Sequence, residues 1–190
     1  MRFFADRGQF PRPALTRRRH FTGATLMLRR RTTPLVDISP HPPHGAPGTV
    51  RTGMTARQII IDTDPGQDDA VAILFALACP EALDVLGLTC VAGNVPLALT
   101  TRNARKICEL AGRPDLPVFA GCDRPLGRAL ITAEHVHGRS GLDGPDLPEP
   151  TMPLAERHAV EFLIDTLRAR PSGTVTLMPI GPLTNIATAF

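Results

Sequence analysis

Tryptophan and tyrosine are absent from the 190-residue chain, and aromatic side chains make up only 4% of it. The core must therefore be aliphatic, with phenylalanine as its aromatic filler. Cysteine is sparse: Cys79, Cys90, Cys108 and Cys122 are widely spaced and form no C-x-x-C pair. Cys79 and Cys108 fall in helical patterns and Cys90 in a strand pattern. That usage fits buried thiols in a reduced, cytoplasmic protein. Long apolar runs are also missing. The longest uncharged one, Ala70 to Pro80, is too short to cross a bilayer, so no membrane partner is expected.

Acid is nearly missing from one segment only. Residues 1–57 hold eleven Arg and two Asp, whereas residues 58–190 hold ten Lys and Arg against sixteen Asp and Glu. The net charge of +3 and the pI near 9.0 thus belong to the first segment, and nucleic-acid binding by the folded part is not expected. Residues 1–57, rich in Arg, Pro, Thr and His, sustain no periodicity and read as a disordered basic extension. Three explanations compete: upstream sequence wrongly joined to the gene, with Met54 as the natural start; a solvated tail; or a targeting peptide.

From Gln58 the pattern changes to one domain. Ile59–Asp62 reads as a buried strand and Asp68–Cys79 as a helix ended by Pro80. Val85–Ala92 is a second strand and Leu97–Ala111 a second helix, stopped by Gly112. Pro117–Ala120 is a third strand. Pro153 is expected to open a third helix. Thr174–Met178 is a fourth strand, and a fourth helix begins at Leu183. Alternating strands and helices predict an open, mostly parallel α/β sheet with helices on both faces and a Rossmann-like core. Ligands of such sheets bind at the carboxyl ends of the strands. Asp62–Asp69, Gly93-Asn94, Gly121–Pro150 and Pro179–Asn185 all lie there. Gly121–Pro150, with little periodic structure, reads as a functional loop.

The densest chemistry is Asp62-Thr63-Asp64-Pro65-Gly66-Gln67-Asp68-Asp69-Ala70. Four carboxylates this close repel one another and need a cation or a shared proton. Oxygen-only ligands on a tight turn suit a hard divalent ion, Ca²⁺ or Mg²⁺. Asp64 and Asp69 are the candidate metal ligands. Asp68 and Asp69 also serve simply as caps of the following helix, but Asp62 and Asp64 have no helix to cap. Asp62 is expected to orient Asp64 or the turn. Asn94 is either a donor to a sugar hydroxyl or a turn former. His135 and His137, two apart in an extended loop, would face the same way, as pocket groups rather than a metal pair. A backbone carbonyl at Ile180 can ligate a metal whatever its side chain.

These motifs resemble the inosine/uridine-preferring nucleoside hydrolases, over about Gln58 to Phe190. The resemblance is carried by DTDPGQDDA at Asp62–Ala70, VAGN at Val91–Asn94, TTRNARKI at Thr100–Ile107, and AGCDRPL at Ala120–Leu126. TAEHVHGRSGL at Thr132–Leu142, ERHAVEFLID at Glu156–Asp165 and PIGPLTNIA at Pro179–Ala187 complete the series. It implies cleavage of the N-glycosidic bond of ribonucleosides with a bound Ca²⁺, held by Asp64, Asp69 and the Ile180 carbonyl. Asp64 would also take the proton of the attacking water. Asp68 would hold a ribose hydroxyl, Asn94 would lie against the ribose, and His137 would be a pocket histidine. Homo-oligomerisation of the full-length form is implied as well. The resemblance further implies that the chain corresponds to the amino-terminal part of such an enzyme. Weak calcium binding and an exposed sheet edge or apolar surface are then expected. Two alternatives stand beside this: an inactive remnant with the same fold, and a Mg²⁺-dependent phosphatase with an Asp nucleophile, for which the extra carboxylates are poorly suited.

Overall fold

The computed structural model describes residues 55–190. The expected disordered extension falls almost wholly on residues 1–54, outside the described residues. Strand β1 (Arg57–Thr63) is followed by α1 (Gln67–Leu77), β2 (Leu83–Cys90), α2 (Leu97–Leu110) and β3 (Val118–Ala120). Then come a one-turn helix α3 (Glu134–His137), α4 (Ala159–Arg168), β4 (Val175–Pro179) and α5 (Thr184–Ala189). The four strands form one parallel sheet in the order β3-β2-β1-β4.

The apolar alternation of β1 explains the layers. Ile59 and Ile61 enter one cluster with Ile73, Ala76 and Leu77 of α1 and Ala104, Ile107 and Cys108 of α2. Ile60, fully buried, points to the other face. There Gly87 leaves room for stacked Phe119 and Phe162, whose centroids lie 3.9 Å apart. Right-handed crossovers place α1 and α2 on one face, and the return from β3 to β4 places α4 on the other. The sheet is thus covered by helices on both faces, around an aliphatic core stiffened by a phenylalanine pair. Deleting a buried side chain such as Ile61 typically costs about 2–5 kcal/mol.

The chain runs from β1 outward to β3 and then returns to the far side of β1. The carboxyl ends of β1 and β4 therefore flank a topological switch point, the place where α/β sheets bind ligands.

Three expectations need correction. Helix α1 stops at Leu77, so Cys79 lies beyond it in a turn that donates to Ala76. The third long helix does not open at Pro153. Ala155 instead pairs with Phe119 and donates to the Val118 carbonyl at 2.9 Å, which extends the sheet edge. Helix α4 starts only after His158, whose Nδ1 accepts from the Val160 N–H. The segment around His135 and His137 is a helical turn, not an extended loop, so the two imidazoles do not share a face.

Among the described residues no helix is long and apolar enough to cross a membrane. Among the same residues β4 pairs only with β1. Leu183 (58% exposed) and Phe190 (85%) show apolar surface beyond it.

Candidate active site at the carboxyl end of the sheet

Asp62 lies in β1, in register with Thr89 of β2 and Pro179 of β4. Its Oδ2 accepts from the Thr89 hydroxyl at 2.7 Å and from Asn185 Nδ2 at 2.8 Å. Asn185, fully buried on α5, also donates to the Cys90 carbonyl at 3.0 Å and accepts from the Cys122 N–H at 2.8 Å. One amide therefore ties together the ends of β1, β2 and β3. The Asp62 carbonyl accepts from Ile180 N at 2.8 Å and Gly181 N at 3.2 Å, which docks the loop after β4. Burial raises the Asp62 pKa, opposed by the Thr89 and Asn185 hydrogen bonds. Its Oδ1 is buried with no hydrogen-bond partner among the described residues.

Asp64 follows the strand and is only 5% exposed. Its Oδ2 accepts from Asn94 N at 2.7 Å, and Asn94 Nδ2 returns a bond to the Asp64 carbonyl at 3.0 Å. The carboxylate fits between two glycines. A Cβ at Gly93 would lie 2.1 Å from Oδ2, and one at Gly181 would lie 2.8 Å from Oδ1. Burial pushes the Asp64 pKa up to about 6; the Asn94 N–H works against the rise, and the Asp69 charge adds to it.

Asp69, also 5% exposed, accepts from Thr63 Oγ1 at 2.8 Å and from the Gly66 N–H at 3.3 Å. It therefore does serve as a cap for α1, and this leaves its carboxylate fixed beside Asp64. Burial raises its pKa, with the Thr63 hydrogen bond as the main opposing effect. Asp68 is exposed at the rim.

The surrounding loops are bonded to this turn. Asn103, buried on α2, donates to the Pro65 carbonyl at 3.3 Å and to that of Ser140 at 2.8 Å. Ala133 N donates to the Asn94 carbonyl at 2.8 Å. His137 lies against Gly66, where an added Cβ would meet its Nδ1 at 2.6 Å.

The arrangement thus brings Asp64, Asp69, Asn94, His137 and the Ile180 backbone to the crevice at the switch point, with Asp62 turned back behind it onto Thr89 and Asn185, Asp68 exposed at the edge and His135 exposed. Sequence reasoning missed Gln67, Asn103 and Asn185 as site builders. A polar Asn at the buried position of an amphipathic helix, as at Asn103, was the available signal; Asn185 gave none, because its partners come from three other elements. Gly93 and Gly181 both make space for the Asp64 carboxylate, a role no local signal in the sequence gives.

The donor set fits a hard cation. Asp64 and Asp69 are buried, the Asp69 charge adds to the rise at Asp64, the Asp68 charge raises Asp69 while His137 works against it, and no ion pair among the described residues reaches either. Uncompensated buried carboxylates are costly unless a cation or proton joins them. Among the described residues no group of three or more His, Cys, Asp or Glu side chains is placed to hold a metal ion. Backbone and ligand oxygens would have to complete the two-carboxylate set.

Fold and side chains together define an α/β domain with carboxylates gathered at the switch point of its sheet. A family model described as inosine-uridine preferring nucleoside hydrolase matches residues 59–190, and the chain belongs to that family. It is 61% identical over 133 residues to an uncharacterized protein of Schizosaccharomyces pombe, covering 70% of this chain and 43% of the relative. It is 51% identical over 132 residues to the pyrimidine-specific ribonucleoside hydrolase RihA of Photobacterium profundum, covering 70% and 42%. The solved purine-preferring ribonucleoside hydrolase from Gardnerella vaginalis superposes with a TM-score of 0.65 at 31% identity, over 70% of this chain and 43% of that one. The chain spans less than half the length of these relatives.

Proposed function

We propose that this chain supplies the acidic side of a site that hydrolyses the N-glycosidic bond of ribonucleosides, releasing ribose and free base. The observation that carries the proposal is the pair of buried carboxylates, Asp64 and Asp69, at the switch point, which no ion pair among the described residues reaches. Membership of the nucleoside hydrolase family supports it. The pyrimidine and purine preferences named for its relatives support ribonucleosides as the substrate class and leave the base open.

Asp64, Asp69 and the Ile180 carbonyl would hold the divalent cation, taken as calcium from the oxygen-only donor set. When bound, that ion supplies Lewis acidity that makes water easier to deprotonate. Asp64 is the base: its carboxylate is buried at the end of β1, and the Asn94 N–H pins its Oδ2 in one orientation. Asp68 at the rim accepts a ribose hydroxyl, and Asn94 flanks the sugar. The negative potential of the crevice favours the positive charge of an oxocarbenium-like transition state. Asp62 acts from behind, through its carbonyl on the loop at Ile180 and its side chain on Asn185. His137 stands at the pocket wall.

A phosphate ester suits this crevice poorly, because clustered carboxylates repel a dianion. The four unpaired cysteines support a reducing, cytoplasmic setting.

The test is release of base from uridine and inosine, with and without chelation, alongside release of phosphate from a generic ester. Base release that chelation abolishes and calcium restores is expected. Base release unaffected by exhaustive chelation would sink the cation assignment. A folded chain that binds ribose yet releases no base would place it with non-catalytic members of the fold.

A further inference from the structure

Gln67 opens α1 and reaches the loop that carries His137. Its Nε2 donates to the carbonyl oxygens of His137, at 3.3 Å, and Asp143, at 3.2 Å. Both neighbours only accept, so the amide nitrogen must lie on that side and Oε1 is left facing the imidazole. Oε1 lies 2.5 Å from His137 Nδ1. An amide oxygen cannot donate, so Nδ1 carries the hydrogen. In a neutral imidazole the other nitrogen, Nε2, then holds a free lone pair.

The ring has little freedom to do otherwise. It abuts Gly66, where an added Cβ would be 2.6 Å from Nδ1 and 2.7 Å from Cε1, and 3.1 Å from Asn94 Nδ2. The loop behind it is tied to itself: Asp143 N donates to the His137 carbonyl at 3.2 Å, and the Asp143 carboxylate accepts from Arg139 N at 3.2 Å and Ser140 N at 3.1 Å. Gly138 takes a φ of +78°, and any side chain there would collide with Asp143. Asn103 anchors the same loop through Ser140.

We propose that Gln67 is a positioning residue that holds neutral His137 as its Nδ1–H tautomer, so that Nε2 accepts a hydrogen bond from a donor of the bound nucleoside. The donor is a sugar hydroxyl or a base N–H. The ligand half of this inference rests on the nucleoside-hydrolysing function; the tautomer half does not. An unconstrained histidine side chain favours the opposite, Nε2–H form, so the assignment is specific to the Gln67 contact.

Nitrogen-15 NMR of the full chain with labelled histidine, recorded at about pH 8 where an ordinary imidazole is neutral, reads the tautomer directly. A pyridine-like Nε2 and a protonated Nδ1 are expected for His137, and Gln67→Met should return the ring to the Nε2–H form. A protonated Nε2 in the unaltered chain overturns the inference, whether or not Gln67→Met folds; so does an unchanged tautomer in a folded Gln67→Met. Adding ribose, uracil or hypoxanthine separately then identifies the donor. A shift of the Nε2 resonance with ribose assigns a hydroxyl, and one with either base assigns an N–H. No shift with any of the three overturns the acceptor role. The shifting probe should bind Gln67→Met about 5-fold more weakly, the effect of one net hydrogen bond. A correct tautomer in a chain that releases no base would retain the positioning role and reject hydrolysis, while base release with the wrong tautomer would do the reverse.

Discussion

Two groups of carboxylates in this molecule have opposite fates. Asp64 and Asp69 are buried at the carboxyl ends of the strands with no ion-pair partner among the described residues, and burial raises their pKa values, to about 6 for Asp64. Glu149, exposed on the long loop, pairs with Arg102 and Lys106 of α2 and is held down to about 2 by those hydrogen bonds and charges. The second arrangement is complete as it stands and fastens a loop to a helix. The first is incomplete without a cation or a proton, and its cost is tolerable only where binding supplies one. Raised carboxylate pKa values therefore mark the site, and lowered ones mark the scaffold.

The largest expected break of this contrast is Asp64→Asn. It removes the proposed base and a cation ligand together, and base release should fall by about 10³-fold, within the range for losing general base catalysis, while the fold persists by circular dichroism. An unchanged rate would remove Asp64 from the chemistry. Gly93→Ala comes next. Its new Cβ would lie 2.1 Å from Asp64 Oδ2, so the carboxylate must move, and a displacement of that order costs on the order of 10²-fold in rate. An alanine variant with full activity would show that the carboxylate position is not critical.

The third test uses pH. In the cation-free chain the Asp64 pKa rises from 3.8 to about 6 on folding. A raised carboxyl favours folding in its protonated form, so that contribution is complete below 3.8 and is lost as pH climbs through about 6. Urea unfolding under chelation should therefore show the unaltered chain losing up to roughly 3 kcal/mol between pH 4 and 7 relative to Asp64→Asn. Parallel profiles for the two chains would contradict the burial argument. The smallest effect is expected at Glu149→Gln. Because exposed ion pairs are weak and screened, base release should not change. The slight loss of thermal stability at neutral pH should shrink in high salt and as pH falls from 4.5 towards 2. A large loss of activity would mean that the loop anchor reaches the site.

How much was legible varies along the chain. The β1–acidic turn–α1 unit reads directly from its residues, because a strand's apolar run, a Pro-Gly turn and a helix start are all local signals. The third long helix was placed too early, because Pro153 satisfies a helix start locally while Ala155 instead finds a strand partner in Phe119. The irregular course of residues 121–150 is legible, apart from the one-turn helix α3, but where the loop docks is not. Their hydrogen bonds go to Asn94, Asn103, Lys106 and Gln67, all distant in sequence. Among the site residues, the carboxylates announced themselves by density, but Asn185 did not, since nothing near it in sequence explains a buried amide.

The sequence by itself determined the alternation of elements, hence a parallel sheet, and the clustering of acid after its first strand, because both follow from periodicity and composition over short windows. Tertiary structure alone decided which carboxylate faces the crevice, which is tied back to Asn185, and which nitrogen of His137 carries the hydrogen. Those outcomes depend on burial and on partners brought together from strands and loops far apart in the chain, and neither quantity exists until the sheet has closed around them.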